Sequence, residues 1–193
     1  MSEPKVAENL ASVIRWLIYL LNSARDSVHR AFMTIGIEHA EIHLGHRYKY
    51  AFVDTDVDIA APKYILIRTP DSDIEQHFTV SVGSSGTAHA ELFENPTVTV
   101  DGTPRTPINR NRRSTNMSAV LLFEDPTVTV DGLRLAHMDL GGAAVGQTRI
   151  TGQESTRDEY VLDRAEEYIV KITVDADNTH VNISVDWYED TPE

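Results

Sequence analysis

Cysteine is absent from all 193 residues, which removes disulfides, thiolate metal ligands and thiol nucleophiles together. Rigidity must then come from packing, bound ions or association with other chains. Lysine is scarce: Lys5, Lys49, Lys63 and Lys171 are the only lysines among 17 basic residues, the other 13 being arginine. Positive charge is short overall, with a formal net charge of −13, so phosphate backbones and anionic membrane surfaces are poor partners. An acidic, lysine-poor balance suits a high-salt environment, and GC-rich codon usage would also exchange lysine for arginine. No apolar run is long enough to cross a bilayer. The longest, Trp16–Leu21, has Glu3, Glu8, Arg15 and Arg25 around it and falls far short of the roughly 20 residues a span needs. No signal peptide is evident, and nothing marks the chain for export. What remains, 41% hydrophobic and 24% charged, is the composition of an ordinary globular protein, long enough for one sizeable domain and an appended element.

Two periodicities divide the chain. Over residues 1–36, Val6, Leu10, Val13, Ile14, Leu17, Ile18, Leu21, Ala24 and Val28 recur at intervals of three and four, the stripe of an amphipathic helix. Pro4 suits its first turn and Gly36 its end. Trp16, Tyr19 and Leu20 widen the stripe beyond one contact, so the helix packs on its own domain or on a neighbouring subunit. From residue 37 the period becomes two. Strands are predicted at 37–44, 47–53, 63–69, 76–82, 87–94, 96–101, 118–124, 126–131, 133–139, 158–162, 167–175 and 179–188, each rich in Val, Ile, Thr or Tyr and bounded by turn residues. Many short strands without βαβ alternation predict a mainly β fold: a jelly-roll or β-sandwich domain over residues 37–193.

One segment occurs twice. Leu92-Phe93-Glu94-Asn95-Pro96-Thr97-Val98-Thr99-Val100-Asp101-Gly102 returns thirty positions later as residues 122–132, with only Asn95 replaced, by Asp125. Each copy reads as strand, Asx-Pro turn, strand and Asp-Gly turn. Two copies are too few for a solenoid, which needs about three, so they are expected to be equivalent strands of one sandwich. Between them, residues 103–117 read as a long polar loop of the kind that carries contacts.

Few residues suggest chemistry. His39, His43 and His46 would offer a metal-ligand face on a helix, but Gly45 and the β-rich sequence beyond it favour a strand with hydrogen-bonding histidines. Asp54, Asp56 and Asp58 resemble the start of a calcium loop, yet Ile59 and Ile65 stand where a calcium-binding hand needs Gly and Glu. No nucleophile elbow, phosphate-binding glycine loop or Ser/His/Asp order appears. No catalytic residue, metal site or cofactor is therefore expected. Arg105, Arg110, Arg112 and Arg113 form the only basic cluster. In so acidic a chain they suit carboxylates on a neighbouring subunit better than nucleic acid. With Trp16, Leu17, Tyr19 and Leu20 they are the candidate interface residues.

The segments His39–Gly45 with Tyr48, Ile67-Arg68-Thr69-Pro70, Leu92-Phe93-Glu94, Asn109–Ser114 and Trp187-Tyr188-Glu189 together resemble a group of small virion proteins encoded among the structural genes of tailed phages and related archaeal tailed viruses. The resemblance covers roughly residues 37–190. It implies a non-enzymatic structural protein of a virion: a capsid decoration or vertex-turret protein, assembled in the host cytoplasm as a homo-oligomer. Its partners would be the major capsid protein or neighbouring virion proteins, without nucleic acid or membrane. A receptor- or glycan-binding virion protein, a head–tail component and a metal-dependent cupin-like enzyme are the other readings.

Overall fold

A computed structural model of the chain describes residues 37–141 and 159–190. The predicted helix over residues 1–36, with Trp16, Leu17, Tyr19 and Leu20, lies outside the described residues. The chain divides into two compact units, Met1–His39 and Ala40–Glu193, and nearly all described residues belong to the second. They form a short helix, α1 (Ile37–Leu44), followed by β1 (Arg47–Val57), β2 (Lys63–Arg68), β3 (Glu75–Ser84), β4 (Ala88–Glu94), β5 (Thr97–Val100), β6 (Thr103–Arg105), β7 (Ile108–Asn109), β8 (Leu121–Glu124), β9 (Thr127–Val130), β10 (Leu133–Leu140), β11 (Tyr160–Leu162), β12 (Glu167–Val174) and β13 (Thr179–Asp190).

The strands make a five-stranded sheet, β11-β3-β13-β1-β7, a six-stranded sheet, β10-β4-β12-β2-β8-β6, and a ribbon, β5-β9. Pairing is antiparallel throughout. Strands β1 to β4 alternate between the two large sheets, and so do β10 to β13. One core joins their inner faces: Tyr48, Phe78, Ile183, Val185 and Trp187 from the first meet Ile65, Ile67, Leu92, Leu122, Tyr168 and Val170 from the second. The predicted alternation holds in β13, where Val181, Ile183, Val185 and Trp187 are buried. Trp187 stacks on Phe78 with ring centroids 5.1 Å apart. The protein is mainly β, with two sheets packed as a sandwich.

The strand predicted at 37–44 is a helix. Its alternating pattern fits a strand, but Gly45, at φ +79°, closes a helix end. Gly45 N–H donates to Ile42 O at 3.1 Å and His46 N–H to Glu41 O at 3.0 Å, the paired bonds of a glycine C-cap. Within the expected loop 103–117, two short strands, β6 and β7, form instead.

The duplicated segment organises the six-stranded sheet. Each copy runs from an inner strand (β4 or β8) through a residue at positive φ, Asn95 (55°) or Asp125 (51°), into a ribbon strand (β5 or β9). Each then turns at Gly102 (88°) or Gly132 (94°) and pairs with the other copy. Thr103 lies opposite Glu124, and thirty positions on Leu133 lies opposite Glu94. The relation reaches the central strands, where Leu66 of β2 faces Ile169 of β12. Leu66 then faces Phe123, and Ile169 faces Phe93. The sheet order reads the same from either end under this exchange: β10 with β6, β4 with β8, and β12 with β2. An approximate two-fold therefore relates the halves.

This arrangement covers an outer apolar layer. Leu66, Phe93 and Ile169 are buried on the face away from the main core, and Val98 and Val128 of the ribbon pack on them. Burying each large side chain stabilises the fold by about 1.5–3 kcal/mol. Two cations related by the pseudo-dyad hold the ribbon ends. Arg68 donates to both carboxylate oxygens of Asp101 at 3.2 and 3.0 Å, and Lys171 donates to Asp131 at 2.5 Å. Each also lies over a repeat phenylalanine, Arg68 at 5.2 Å from the Phe123 ring centre and Lys171 at 5.9 Å from that of Phe93.

The glycine turns admit no side chain. A Cβ at Gly102 would lie 2.2 Å from Glu124 O, and one at Gly132 would lie 2.2 Å from Glu94 O. Gly102→Ala and Gly132→Ala should each destabilise by on the order of 2 kcal/mol or more, from strain at positive φ together with the clash. The midpoint should drop by several degrees, about equally for the two. Gly86→Ala, which meets only ordinary contacts, serves as the control in calorimetry.

Candidate contact surface and histidine cluster

Two surface features could act on a partner or ligand. The first is the segment from Ile108 to Met117, folded against the end of α1 by its asparagines. The Asn109 side chain is buried and donates to Gly45 O at 2.8 Å and Asn116 O at 3.1 Å. Asn111 donates to His43 O at 3.0 Å. These amides satisfy carbonyls that a helix end leaves without partners. The approach is close enough that a Cβ on Gly45 would lie 2.3 Å from Ser114 Oγ.

The arginines in and beside this segment do not act as one group. Arg105 on the edge strand β6 forms an ion pair with Glu124, a buried carboxylate that also accepts a hydrogen bond from the Tyr50 hydroxyl of the other sheet. It is a strut. Arg110 lies 3.3 Å from Asp186 of β13. Arg112 reaches only the Asn109 carbonyl, at 3.5 Å. Among the described residues, neither Arg112 nor Arg113 meets a carboxylate.

Two other sequence candidates resolve simply. His39 and His43 are exposed on α1, while His46 lies 3.1 Å from Glu41. Asp54 pairs with Lys63 at 2.8 Å, which holds its carboxyl below the usual range, and Asp58 accepts the Asn178 N–H at 3.1 Å. Asp54 and Asp58 are thus engaged within the sandwich, while Asp56 is exposed.

The second feature was not foreseen. On the outer face of the six-stranded sheet, β4 presents His89 and Glu91, and β10 presents His137 and Asp139. Cross-strand register sets Asp139 opposite His89 and His137 opposite Glu91. A register shift between Arg134 and Ala136 marks a bulge at Leu135. It lets Arg134 and His137, an odd number of residues apart, reach the same carboxylate. Arg134 lies 2.9 Å and His137 Nδ1 3.2 Å from Glu91 Oε1. His89 Nδ1 at 2.7 Å and His137 Nε2 at 2.8 Å converge on Asp139 Oδ1. Asp175, just beyond β12, lies 3.4 Å from His89 Nε2.

The charges support one another. His89 titrates above its usual value, chiefly because it hydrogen-bonds Asp139. Asp139 is held low, first by His89 and then by His137. Burial pushes Glu91 upward, but Arg134 and His137 outweigh it and leave its carboxyl low. In the sequence, the traces are His-x-Glu and His-x-Asp within two predicted strands. Their adjacency depends on the pairing of β4 with β10, which strand prediction alone does not supply.

The arginines can be sorted by stability. Arg105→Ser should lower stability by about 1–3 kcal/mol, since Glu124 stays buried without its counter-charge. Arg112→Ser and Arg113→Ser should each stay within about 0.5 kcal/mol. Urea unfolding of the three single variants measures this. No protein-family model matches the chain, and neither does any curated protein or solved structure.

Proposed function

We propose that this chain is a non-enzymatic structural protein of a tailed-virus particle, a capsid decoration or vertex-turret protein that self-associates and binds the shell. The observation that carries the reading is the strand order. Within the larger sheets, β11-β3-β13-β1 faces β10-β4-β12-β2, with successive strands crossing from one sheet to the other. That is the order expected of a jelly roll, an architecture common in viral capsid proteins. The duplicated segment is then an elaboration between its fourth and fifth strands.

Lectins and cupins share the architecture, and two observations weigh against them. A cupin-like enzyme needs histidines inside the roll, whereas the interior is filled by Trp187, Tyr168 and Phe78 and none of the described histidines is buried. Glycan sites commonly offer an aromatic platform, yet none of the large exposed apolar side chains among the described residues is aromatic.

Arg112 and Arg113 are the contact the reading predicts, as exposed cations that meet no carboxylate among the described residues, on a chain of net charge −13. Purified particles should contain the chain by mass spectrometry. The double variant Arg112→Ser/Arg113→Ser should keep its unfolding midpoint but co-sediment with particles several-fold less well. The parent's attachment should weaken more steeply with salt than the variant's. Particles lacking the chain would end the proposal, and undiminished attachment would move the contact elsewhere.

A further inference from the structure

We infer that His89, His137 and Asp139 form a binding site for a divalent transition-metal ion, which staples the edge strand β10 to β4. This inference is independent of the particle reading. One ligand atom from each of the three residues lies within 4.8 Å of the others, a spread that an ion of Zn²⁺ size can close with small side-chain rotations. The two imidazoles already aim different ring nitrogens, His89 Nδ1 and His137 Nε2, at one carboxylate oxygen. An ion taking the place between them would gain two nitrogen ligands and one oxygen ligand.

The outer groups favour ligation over a plain ion-pair cluster. A metal-bound imidazole commonly presents its other ring nitrogen to a carboxylate, which fixes the tautomer and strengthens the ligand. Both histidines have that partner: Asp175 at 3.4 Å from His89 Nε2, and Glu91 at 3.2 Å from His137 Nδ1. Arg134 in turn orients Glu91 at 2.9 Å. Three ligands, each backed by β-strand geometry, leave at least one coordination position facing solvent, since Asp139 is 71% exposed. Two imidazoles with one carboxylate suit Zn²⁺, Ni²⁺ or Cu²⁺, whereas Mg²⁺ and Ca²⁺ favour all-oxygen sets.

The test is calorimetric titration of Zn²⁺ into the full chain after chelator treatment, with Mg²⁺ as competitor. One saturable site is expected, unaffected by excess Mg²⁺. At free Zn²⁺ of one hundred times Kd, the midpoint should rise by about 5–10 °C. His137→Ala and the exposed Asp139→Asn should each weaken binding at least tenfold. Asp175→Asn, a change to a positioning residue, should weaken it about 10- to 100-fold. If His137→Ala fails to fold, Asp139→Asn decides. Absence of saturable binding, or binding that survives both Asp139→Asn and His137→Ala at parental affinity, would overturn the site.

Discussion

A β-sheet that is apolar on both faces must be covered twice, and that requirement shapes this chain. The central strands β2 and β12 direct Ile65, Ile67, Tyr168 and Val170 into the sandwich, but Leu66 and Ile169 outward. Left exposed, the outward pair with Phe93 would form a sticky patch in the middle of the sheet. The ribbon β5-β9 covers it, and the ribbon can reach it only if the chain leaves β4 and β8 sharply. Hence the positive φ at Asn95 and Asp125, residue types that tolerate this backbone better than most. The glycines at 102 and 132 return each copy to the sheet through a gap that excludes a side chain.

The two-fold pairing explains why the repeat is so nearly identical in sequence. Each copy packs against its twin, so a change in one alters the surroundings of the other. Reciprocal hydrogen bonds make the coupling explicit: Thr99 Oγ1 donates to Thr127 O at 3.3 Å, and Thr129 Oγ1 to Thr97 O at 3.1 Å. The Asn95 and Asp125 amides likewise donate to equivalent carbonyls, Glu167 O and Tyr64 O. Symmetry fails on the inner face. Glu94 accepts from Tyr168 directly across the strand pair, while Glu124 turns to Tyr50 and Arg105. The inner face must fit a five-stranded sheet that lacks the dyad.

These relations set what a reader of the sequence could see. Strands with clean alternation, such as β13, were legible because side-chain period two is a local property. The duplication was plain, but not the fact that its copies pair with one another, since pairing is a matter of register between distant segments. Residues 37–44 alternate as a strand would, with Ile42 and Leu44 out of phase with His39, Glu41 and His43. The helix is secured from far along the chain, by Asn109 and Asn111 on its last carbonyls. The histidine cluster stayed hidden for the same reason, with a bulge at Leu135 added. The arginines were legible as a group but not as a division between struts and outward cations.

Edge strands bear on how such a domain could associate. A free edge invites pairing with another sheet unless it is short, interrupted or charged. Among the described residues, β7 has two residues, β11 three and β6 three with Pro104 among them. However, β7 pairs only with Tyr48 and Lys49 of β1 and β11 only with residues 76–78 of β3, so stretches of β1 and β3 also lie at a sheet edge. Strand β10, with eight residues, is the longest of the terminal strands. It carries a bulge near its start and, on its outer face, Arg134, His137 and Asp139 engaged with β4. Both features oppose a flat, continuous ladder with a second copy. At the β10 edge, contact with a second copy would then rest on side-chain surfaces rather than on strand addition. Arg112 and Arg113 are exposed on a segment whose asparagines do the folding, so a change at either alters the surface charge without touching the bonds that hold the segment.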